Sequence, residues 1–294
     1  MAPSFIPSAE YPRGLVFSGL KSKDMGKLYG ERWQVSSDRP LAANSHSEIL
    51  RVIDGRGEFE GEYALKRVLR PRWHERFGIE IEAVAGLRHH NVIGLVEAPA
   101  FCRKAGIAPY LVTPIAGGGD LGDRRRAQAY RYSVDWILQV AKQLTSALVA
   151  ANAAGIIHRD LKPANILFTG QGQEVWLSDF GILLVREPGR PDDGDPWVEQ
   201  QAFIAPELEH GSHLDVTPAA DVYSLGKVLY FMYSGGVEAP HHLTGSADQN
   251  AIFQKGKRCK LLGGLLREMI CPLQDRLKTM PDVERRLESI ERCE

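Results

Sequence analysis

The chain has 294 residues and a formal net charge of −1, and 44% of its residues are hydrophobic. This length allows one large domain or two small ones, with a core that needs no metal or disulfide. The near-neutral charge excludes an electrostatic argument for nucleic acid or an anionic membrane as the main partner. No apolar run approaches the ~18 residues of a membrane helix. The four cysteines form no CxxC pair, so we expect them to stay reduced in the cytoplasm.

Residues 1–30 are interpreted as an N-terminal extension, because prolines and glycines recur through them and break helix and strand patterns. Two interpretations stay open for this segment. It is an arm that packs on the domain through Phe5, Tyr11 and Phe17, or it is a disordered tail.

Strand patterns dominate the next part of the chain. Three predicted strands, Trp33–Val35, Glu48–Ile53 and Glu62–Val68, and a turn at Asp54–Gly57 indicate an antiparallel meander. A helix follows, with Pro71 near its start and Gly86 near its end. Two more strands are predicted at Val92–Glu97 and Tyr110–Thr113.

Helix patterns dominate the second half of the sequence. Gly117–Gly119 is interpreted as a flexible connection into this part. Ser133 is a predicted helix cap, and Gly155 ends the long apolar stripe that follows it. The segment Leu225–Tyr233 is apolar nearly all round and predicts a buried central helix. Two closing helices are expected at Leu261–Ile270 and Pro281–Ile290.

Two polar motifs stand out against this background. The first is His158-Arg159-Asp160-Leu161-Lys162-Pro163-Ala164-Asn165, and the second is Asp179-Phe180-Gly181. Together they bring the groups that hold a triphosphate, its metal ions and an attacking hydroxyl. With Ala64-Leu65-Lys66 upstream and Ala205-Pro206-Glu207 downstream, they resemble the eukaryotic-type (Hanks-type) serine/threonine protein kinase family.

The resemblance implies an α+β, bilobal protein-kinase-like fold. Residues 31–116 would form a small N-lobe of antiparallel sheet plus one helix, and residues 117–294 a larger, mainly helical C-lobe. The active site would lie in the cleft between the lobes.

The resemblance also assigns catalytic roles. Lys66 would contact the α- and β-phosphates of ATP, held by a helix glutamate. Glu80 is preferred over Glu82 for that task, because it lies nine residues before His89, the spacing that family members show, and because Glu82 lies on another face of the helix. Asp160 would orient or accept the substrate hydroxyl. Lys162 would neutralise the γ-phosphate, and a lysine there is typical of the serine/threonine branch.

The same resemblance implies the ligands of Mg²⁺ and of the nucleotide. Asn165 and Asp179 would supply hard oxygen ligands to magnesium. Thr113 would be the gatekeeper, with the carbonyl of Pro114 and the N–H of Ala116 facing adenine. The remaining contacts would be Asp120 on the ribose and Ile49, Ala64 and Leu167 around the ring.

Several further residues are expected to have structural roles. His158 and Phe180 would stack with Val84 and Leu95 in a spine that aligns the lobes. Asp221 would anchor the backbone of the catalytic loop, since a buried unpaired charge is costly. Glu207 and Arg276 would form an ion pair that ties the substrate segment to the closing helices.

The sequence departs from the family at the phosphate loop. The run aligned with GxGxxG is Leu41-Ala42-Ala43-Asn44-Ser45-His46-Ser47-Glu48-Ile49, which contains no glycine. Glycine normally lets backbone N–H groups approach the phosphates, whereas Ala42 and Ser47 adopt positive φ less readily. We therefore predict weak ATP binding, or a loop that becomes ordered only with nucleotide or a partner.

The activation segment is a second departure. No serine, threonine or tyrosine lies between Gly181 and Ala205, which excludes activation by phosphorylation within this stretch. Arg159, which often pairs with a phosphate in the family, could instead pair with Asp192, Asp193 or Asp195. A solvated acidic loop is the simpler alternative. Glu199-Gln200-Gln201 also replaces the usual Gly-Thr pair, which affects substrate docking.

Clusters of charged and histidine residues outside these motifs are interpreted as surface features. Arg124–Arg126 is expected to be a solvated helix face, with selection of acidic substrates as the weaker alternative. The pairs His89–His90 and His241–His242 are expected in surface turns, since no carboxylate or cysteine completes a metal site.

The sequence thus predicts a kinase that transfers the γ-phosphate of ATP, with Mg²⁺, to serine or threonine hydroxyls of protein substrates. It would act independently of activation-loop phosphorylation, and a regulatory protein partner is allowed for. Two alternatives stay open: a pseudokinase that serves as a binding or scaffold module, and a small-molecule phosphotransferase of the same fold.

Overall fold

The computed structural model describes residues 25–43, 47–99, 108–127, 132–170, 172–180, 202–209, 216–243 and 256–293. Several predictions fall outside these ranges. They concern the side chains of Phe5, Tyr11 and Phe17, the acidic cluster at 192–195, and Glu199–Gln201.

The N-terminal part is an antiparallel sheet. Its strands are β1 (Leu28–Tyr29), β2 (Trp33–Val35), β3 (Ala42–Ala43), β4 (Ser47–Asp54), β5 (Glu62–Val68) and β6 (Tyr110–Pro114). They follow the order β1-β2-β4-β5-β6, and β3 also pairs with β4. The predicted strands in this region are confirmed, except one. The residues before 31 contribute to the sheet too, because Leu28–Tyr29 pairs with β2.

The exception is the predicted strand Val92–Glu97, which is wrong. This segment makes only isolated bridges, from Val92 to Leu177 and from Glu97 to Val112. Its two ends pair with different sheets, because the chain here passes from the helical lobe to the edge of β6. A strand needs one continuous partner, and this path offers none.

The helices lie mainly in the second half of the chain. They are α1 (His74–Gly86), α2 (Leu121–Ala127), α3 (Val134–Ala153), α4 (Pro206–Glu209), α5 (Ala219–Ser234), α6 (Lys257–Met269) and α7 (Met280–Glu291), with short 3₁₀ turns at Pro71–Trp73 and Pro163–Asn165. A second sheet is the hairpin of β7 (Ile166–Phe168) and β8 (Val175–Leu177). The α+β, bilobal fold expected from the sequence is confirmed.

Local sequence explains how the long helices begin and end. The Ser133 hydroxyl accepts a hydrogen bond from the backbone N–H of Trp136 at 3.2 Å, which caps α3. Just beyond the end of α3, Gly155 has a φ of 76°, a conformation that glycine adopts without steric cost. Nearly every residue of α5 is buried, as the apolar segment Leu225–Tyr233 predicts.

The described residues form three clusters of buried hydrophobic side chains. The largest lies in the helical lobe and includes α3, α5, α6 and α7. A small one, with Val68, Phe77, Ile81 and Leu111, joins α1 to the sheet. In the N-lobe, alternate residues of the strands point to one face of the sheet and form a separate core. Its buried members are Trp33, Val35, Leu50, Val52, Leu65, Tyr110 and Val112.

The interpretation of Arg124–Arg126 as a solvated helix face is wrong for Arg124. Its Nε donates to the carbonyl of Gly118 at 3.0 Å, and its guanidinium lies 3.9 Å from the centre of the Phe168 ring. The reason is that α2 starts directly after the loop between the lobes. Arg124, near the start of this helix, therefore meets backbone carbonyl groups rather than water.

Candidate active site

The cleft contains a buried lysine held between two carboxylates. Lys66 on β5 places its Nζ 3.2 Å from Glu80 Oε1 on α1 and 2.8 Å from Asp179 Oδ1. Glu82 is exposed, so the structure brings Glu80, and not Glu82, to the lysine. Phe77 and Ile81 are the buried apolar residues through which α1 packs against the sheet. Glu80 lies beside Ile81 on this helix, so its carboxylate also faces the sheet.

The charges of this group depend on one another. Burial alone would lower the pKa of Lys66, but the carboxylates of Asp179 and Glu80 outweigh burial and raise that pKa. Burial raises the pKa of Glu80 to about 7, with Lys66 opposing the shift. Burial alone would raise the pKa of Asp179 too, but Lys66 holds it below its usual value. Lys66 therefore stays charged, as a phosphate ligand must.

Asp160 lies at the centre of a second polar group. Its Oδ2 accepts hydrogen bonds from Lys162 Nζ at 2.8 Å and from Asn165 Nδ2 at 3.0 Å. The same Asn165 amide donates to the backbone carbonyl of Asp160 at 2.7 Å. Burial raises the pKa of Asp160, with Lys162 as the largest opposing influence. These contacts fix the orientation of the Asp160 carboxylate, and one of its oxygens, Oδ2, accepts both side-chain hydrogen bonds.

Asn165 and Asp179 fit the magnesium role assigned to them. Both hydrogen bonds made by the Asn165 side chain use its Nδ2 amide, which leaves Oδ1 as the ligand atom. Asp179 meets Lys66 through Oδ1. Amide and carboxylate oxygens suit Mg²⁺, which commonly takes few protein ligands and completes its shell with phosphate and water. Among the described residues, no group of three or more His, Cys, Asp or Glu side chains forms a metal site by itself.

A buried aspartate anchors the backbone of the catalytic loop. Asp221 on α5 accepts the backbone N–H groups of His158 at 2.8 Å and Arg159 at 2.9 Å. His158 is the neutral Nε2–H tautomer, because its Nε2 donates to the Ser178 carbonyl at 3.0 Å while its Nδ1 accepts the N–H of Asp160 at 3.3 Å. Burial lowers the pKa of His158, in agreement with that tautomer.

Two residues of the site have unusual backbone conformations. Arg159 has a φ of 65° and Asp179 a φ of 54°. Non-glycine residues adopt this region at a cost, and such outliers gather at functional sites. Asp221 supports the first outlier, and the ion pair with Lys66 accompanies the second.

The sheet register places several of the residues predicted to contact the nucleotide beside Lys66. The register of the sheet places Ile49 opposite Lys66 and Ala64 opposite Thr113. Pro114 ends β6, and Ala116 begins the turn into the helical lobe.

Two of the residues predicted to contact the nucleotide are neighbours. Asp120, assigned to the ribose, forms an isolated β-bridge with Leu167, assigned to the adenine ring. Asp120 Oδ1 also accepts the N–H of Asp123 at 2.8 Å. This carboxylate oxygen therefore caps the start of α2.

The glycine-free run forms a short hairpin. Ala42 pairs with Ile49 and Ala43 with Glu48, and the N–H of Leu41 donates to the carbonyl of Ile49 at 2.7 Å. Residues 44–46, at the tip, lie outside the described part. The backbone of Ala42 and Ala43 is thus engaged in strand pairing.

The expected structural contacts are present except for that of Leu95. The rings of His158 and Phe180 lie 4.6 Å apart. Val84 packs against the core that contains Phe180, but Leu95 packs against a separate cluster around Phe77. Glu207 forms the predicted ion pair with Arg276, whose Nη1 lies 2.5 Å from Glu207 Oε1.

Sequence reasoning missed a network that joins the turn after α1 to β8. Asn91 Nδ2 donates to Gln143 Oε1 and to the carbonyl of Val175, both at 2.9 Å. Gln143 Oε1 also accepts the N–H of Val175 at 3.1 Å. Asn91 follows the noted His89–His90 pair, but a buried amide has no periodic signal that could have identified it. His89 itself accepts the N–H of Asn91 at 3.1 Å.

Comparison with known proteins supports the same fold and family. The family model described as the protein kinase domain matches residues 51–284, so it begins after the glycine-free run. The chain is 32% identical over 204 residues to serine/threonine-protein kinase PknA of Mycobacterium tuberculosis, covering 67% of this chain and 46% of PknA. It is 28% identical over 263 residues to CBL-interacting protein kinase 19 of Oryza sativa subsp. japonica, covering 85% of this chain and 48% of that protein.

The chain thus spans about half the length of the curated relatives it matches. Among solved structures, the PknI kinase domain of Mycobacterium tuberculosis matches with a TM-score of 0.65 at 22% identity, covering 90% of this chain and 98% of that domain. That likeness establishes the fold. None of the helices in the described ranges is long and apolar enough to cross a bilayer. Because the family match covers most of the sequence, and the cleft holds the expected lysine, glutamate and aspartates, this chain belongs to the protein kinase family.

Proposed function

We propose that this domain transfers the γ-phosphate of ATP to serine or threonine hydroxyls of protein substrates. The observation that carries the proposal is the set of side-chain contacts within the cleft. Lys66 contacts both Glu80 and Asp179, while Asp160 contacts both Lys162 and Asn165. Phosphoryl transfer needs charge and position more than strong base catalysis, and this arrangement supplies both.

Each side chain has one task in the proposed reaction. Lys66 would bind the α- and β-phosphates, with Glu80 fixing its ammonium group. Asp160 would accept a hydrogen bond from the substrate hydroxyl and orient its oxygen toward the γ-phosphate. Lys162, 2.8 Å from Asp160, would stabilise the charge that spreads over the transferred group.

Magnesium would be held by Asn165 and Asp179, where it supplies Lewis-acid neutralisation of phosphate charge. A backbone hydrogen bond connects the segments that carry these two residues. The carbonyl of Asn165 accepts the N–H of Ser178 at 3.0 Å, which ties the catalytic loop to the residue before Asp179.

Serine and threonine are the proposed acceptors for two reasons. Lys162 matches the serine/threonine pattern of the family, and PknA bears the name of a serine/threonine-protein kinase. The proposal extends to independence from activation-segment phosphorylation, because residues 181–205 contain no hydroxyl side chain. The cytoplasmic location and a regulatory protein partner remain predictions.

The test is transfer of radiolabelled phosphate from ATP to a generic protein substrate and to the chain itself, with and without magnesium. We expect magnesium-dependent transfer in the wild type, and loss of at least about a hundredfold in Asp160→Ala. Treatment with a phosphatase before the assay should leave the rate unchanged. Equal background rates for wild type and Asp160→Ala, with no magnesium-dependent thermal shift by ATP, would support the pseudokinase alternative instead.

A further inference from the structure

Arg124 on α2 bonds to backbone carbonyl groups of two separate turns. Its Nε donates to Gly118 at 3.0 Å, and one Nη donates to Gly172 at 2.9 Å. Its other Nη donates to Gly170. Gly118 belongs to the turn between the lobes, whereas Gly170 and Gly172 lie between β7 and β8. One side chain therefore joins the turn between the lobes to the hairpin that follows the catalytic loop.

The orientation of Arg124 is fixed by a stack of aromatic rings. Its guanidinium lies 3.9 Å from the centre of the Phe168 ring. Phe168 stacks on Trp136 at 5.7 Å, and Trp136 stacks on Tyr132 at 3.9 Å. A planar guanidinium both stacks on a ring and donates in its own plane, which a lysine ammonium cannot do.

Gly118 is closely packed at this junction. Its N–H donates to the carbonyl of Phe168 at 2.8 Å, and the N–H of Phe168 donates to the carbonyl of Gly119 at 2.8 Å. A methyl group built on Gly118 would lie 2.7 Å from Phe168 Cβ and 2.8 Å from Arg124 Nη2. Glycine is needed here for close approach. The Gly117–Gly119 segment, interpreted from sequence as a flexible connection, is thus attached to β7.

The residues next to this junction are those assigned to the nucleotide. Asp120 follows Gly119 directly and forms a bridge with Leu167, the residue before Phe168. Any shift of the Gly118 backbone along β7 would therefore move the proposed ribose and adenine contacts together.

We propose that Arg124 is a positioning residue, which locks the turn between the lobes onto β7 and thereby fixes Asp120 and Leu167 under the nucleotide. This inference rests on the proposed kinase function. Asp160, Asn165 and Asp179 make no contact with Arg124 in the described structure, so Arg124 acts on nucleotide binding rather than on transfer.

The first test separates KM from kcat. In Arg124→Lys we expect the KM for ATP to rise roughly five- to twentyfold while kcat stays within about twofold, as for a lost binding contact. Gly118→Ala should have the same effect by a different route. Arg258→Lys is the matched control, because Arg258 also donates to backbone carbonyls, those of Glu291 and Cys293, in the part of the C-lobe formed by α6 and α7. It should lower stability and leave KM unchanged.

The second test does not need activity. Amide hydrogen exchange of Gly118 and Phe168 should be slow in the wild type and at least about tenfold faster in Arg124→Lys, because both amides are bonded across this junction. Failure of the kinase proposal would appear as no transfer by the wild type, and the exchange result would still decide the role of Arg124. Unchanged KM and unchanged protection in Arg124→Lys and Gly118→Ala would overturn the inference.

Discussion

Asp221 Oδ1 accepts the backbone N–H of Arg159 at 2.9 Å, and Arg159 has a φ of 65°. A buried carboxylate on α5 thus stabilises a costly backbone conformation directly before Asp160. Burial raises the pKa of Asp221, with His158 as the largest opposing influence. The carboxylate is satisfied by two backbone N–H groups, which a neutral amide cannot match.

Asp221→Asn should destabilise the domain and slow transfer. An asparagine accepts only one of the two N–H groups and turns its own NH₂ toward the other, so a buried donor is left unpaired. We expect a loss of about 2–4 kcal/mol in the free energy of unfolding, measured by urea denaturation, and a fall in kcat of at least about tenfold.

Asp135→Asn is the control for that experiment, because Asp135 forms an exposed ion pair with Arg258. It should cost less than about 1 kcal/mol and leave kcat unchanged. A wild-type kcat in Asp221→Asn would show that the loop keeps its shape without this anchor.

Glu80 predicts a specific pH dependence. Burial raises its pKa to about 7, and only its ionised form pairs with Lys66. As pH falls through 7 the carboxylate gains a proton, so kcat/KM for ATP should fall roughly eightfold between pH 7.5 and 6 by the change in ionised fraction. The free energy of unfolding should change in the opposite direction. Because the pKa of Glu80 is raised in the folded state, stability should increase as pH falls from about 7 toward the pKa of this group in the unfolded chain.

The matched variants are Glu80→Gln and Glu82→Gln. Glu80→Gln should have a low kcat/KM for ATP at every pH, with no further fall below pH 7. Its free energy of unfolding should also depend less on pH. Glu82 is exposed on the same helix, so Glu82→Gln should follow the wild type. An acid limb that survives in Glu80→Gln would assign the titration to another group.

The sequence predicted most of what depends on motif and periodicity. The alternation in Glu62–Val68 identified β5. The choice of Glu80 over Glu82 followed from the family's spacing before His89, with support from helix geometry. Asp221 and the Glu207–Arg276 pair could be placed because family motifs fix their positions.

What could not be predicted are contacts with backbone carbonyls and changes of partner. Arg124 appears in sequence as the first of three arginines, and nothing there indicates that its acceptors are glycine carbonyls at distant positions. The segment Val92–Glu97 has strand-like composition, yet its partner changes from Leu177 to Val112 along its length. Both features depend on how remote turns meet.

The hairpin at Ala42–Ala43 predicts weak ATP binding. Because Ala42 and Ala43 pair with Ile49 and Glu48, their backbone groups belong to a sheet rather than to a phosphate site. We expect a dissociation constant for ATP above the low micromolar range. Ala42→Gly combined with Ser47→Gly should tighten binding roughly two- to fivefold by freeing the backbone, as measured by calorimetry.

Asp38→Gly is the control for flexibility alone, since Asp38 lies between β2 and β3 and outside the hairpin. It should leave the affinity unchanged. Low-micromolar binding by the wild type would contradict the argument, whatever the glycine variants do.

Arg32 joins the N-terminal hairpin to the rest of the sheet. Its Nε and Nη2 each lie 3.0 Å from a different oxygen of Asp54, and its Nη1 lies 3.1 Å from Glu97. Glu97 in turn accepts the hydroxyl of Tyr110 at 3.1 Å, at the start of the strand that leads to the cleft. The Asp54 side chain has no exposed surface, so its charge is stabilised by Arg32 and by the backbone N–H groups of Arg56, Glu58 and Phe59.

Arg32→Lys should therefore lower the thermal midpoint by several degrees, because a lysine cannot form the bidentate contact with Asp54.

This effect should depend on pH. The Arg32 contact lowers the pKa of Asp54, with burial as the largest opposing influence. A depressed carboxyl pKa stabilises the fold above the unfolded pKa, and this stabilisation is lost as pH falls below it. The difference in thermal midpoint between wild type and Arg32→Lys should be full at pH 7 and shrink below about pH 4. Arg292→Lys, which alters an exposed pair with Glu288, should show no such difference. A gap between Arg32→Lys and wild type that is equally large at pH 3 and pH 7 would mean that Arg32 acts through packing on Trp33 and Phe59 rather than through charge.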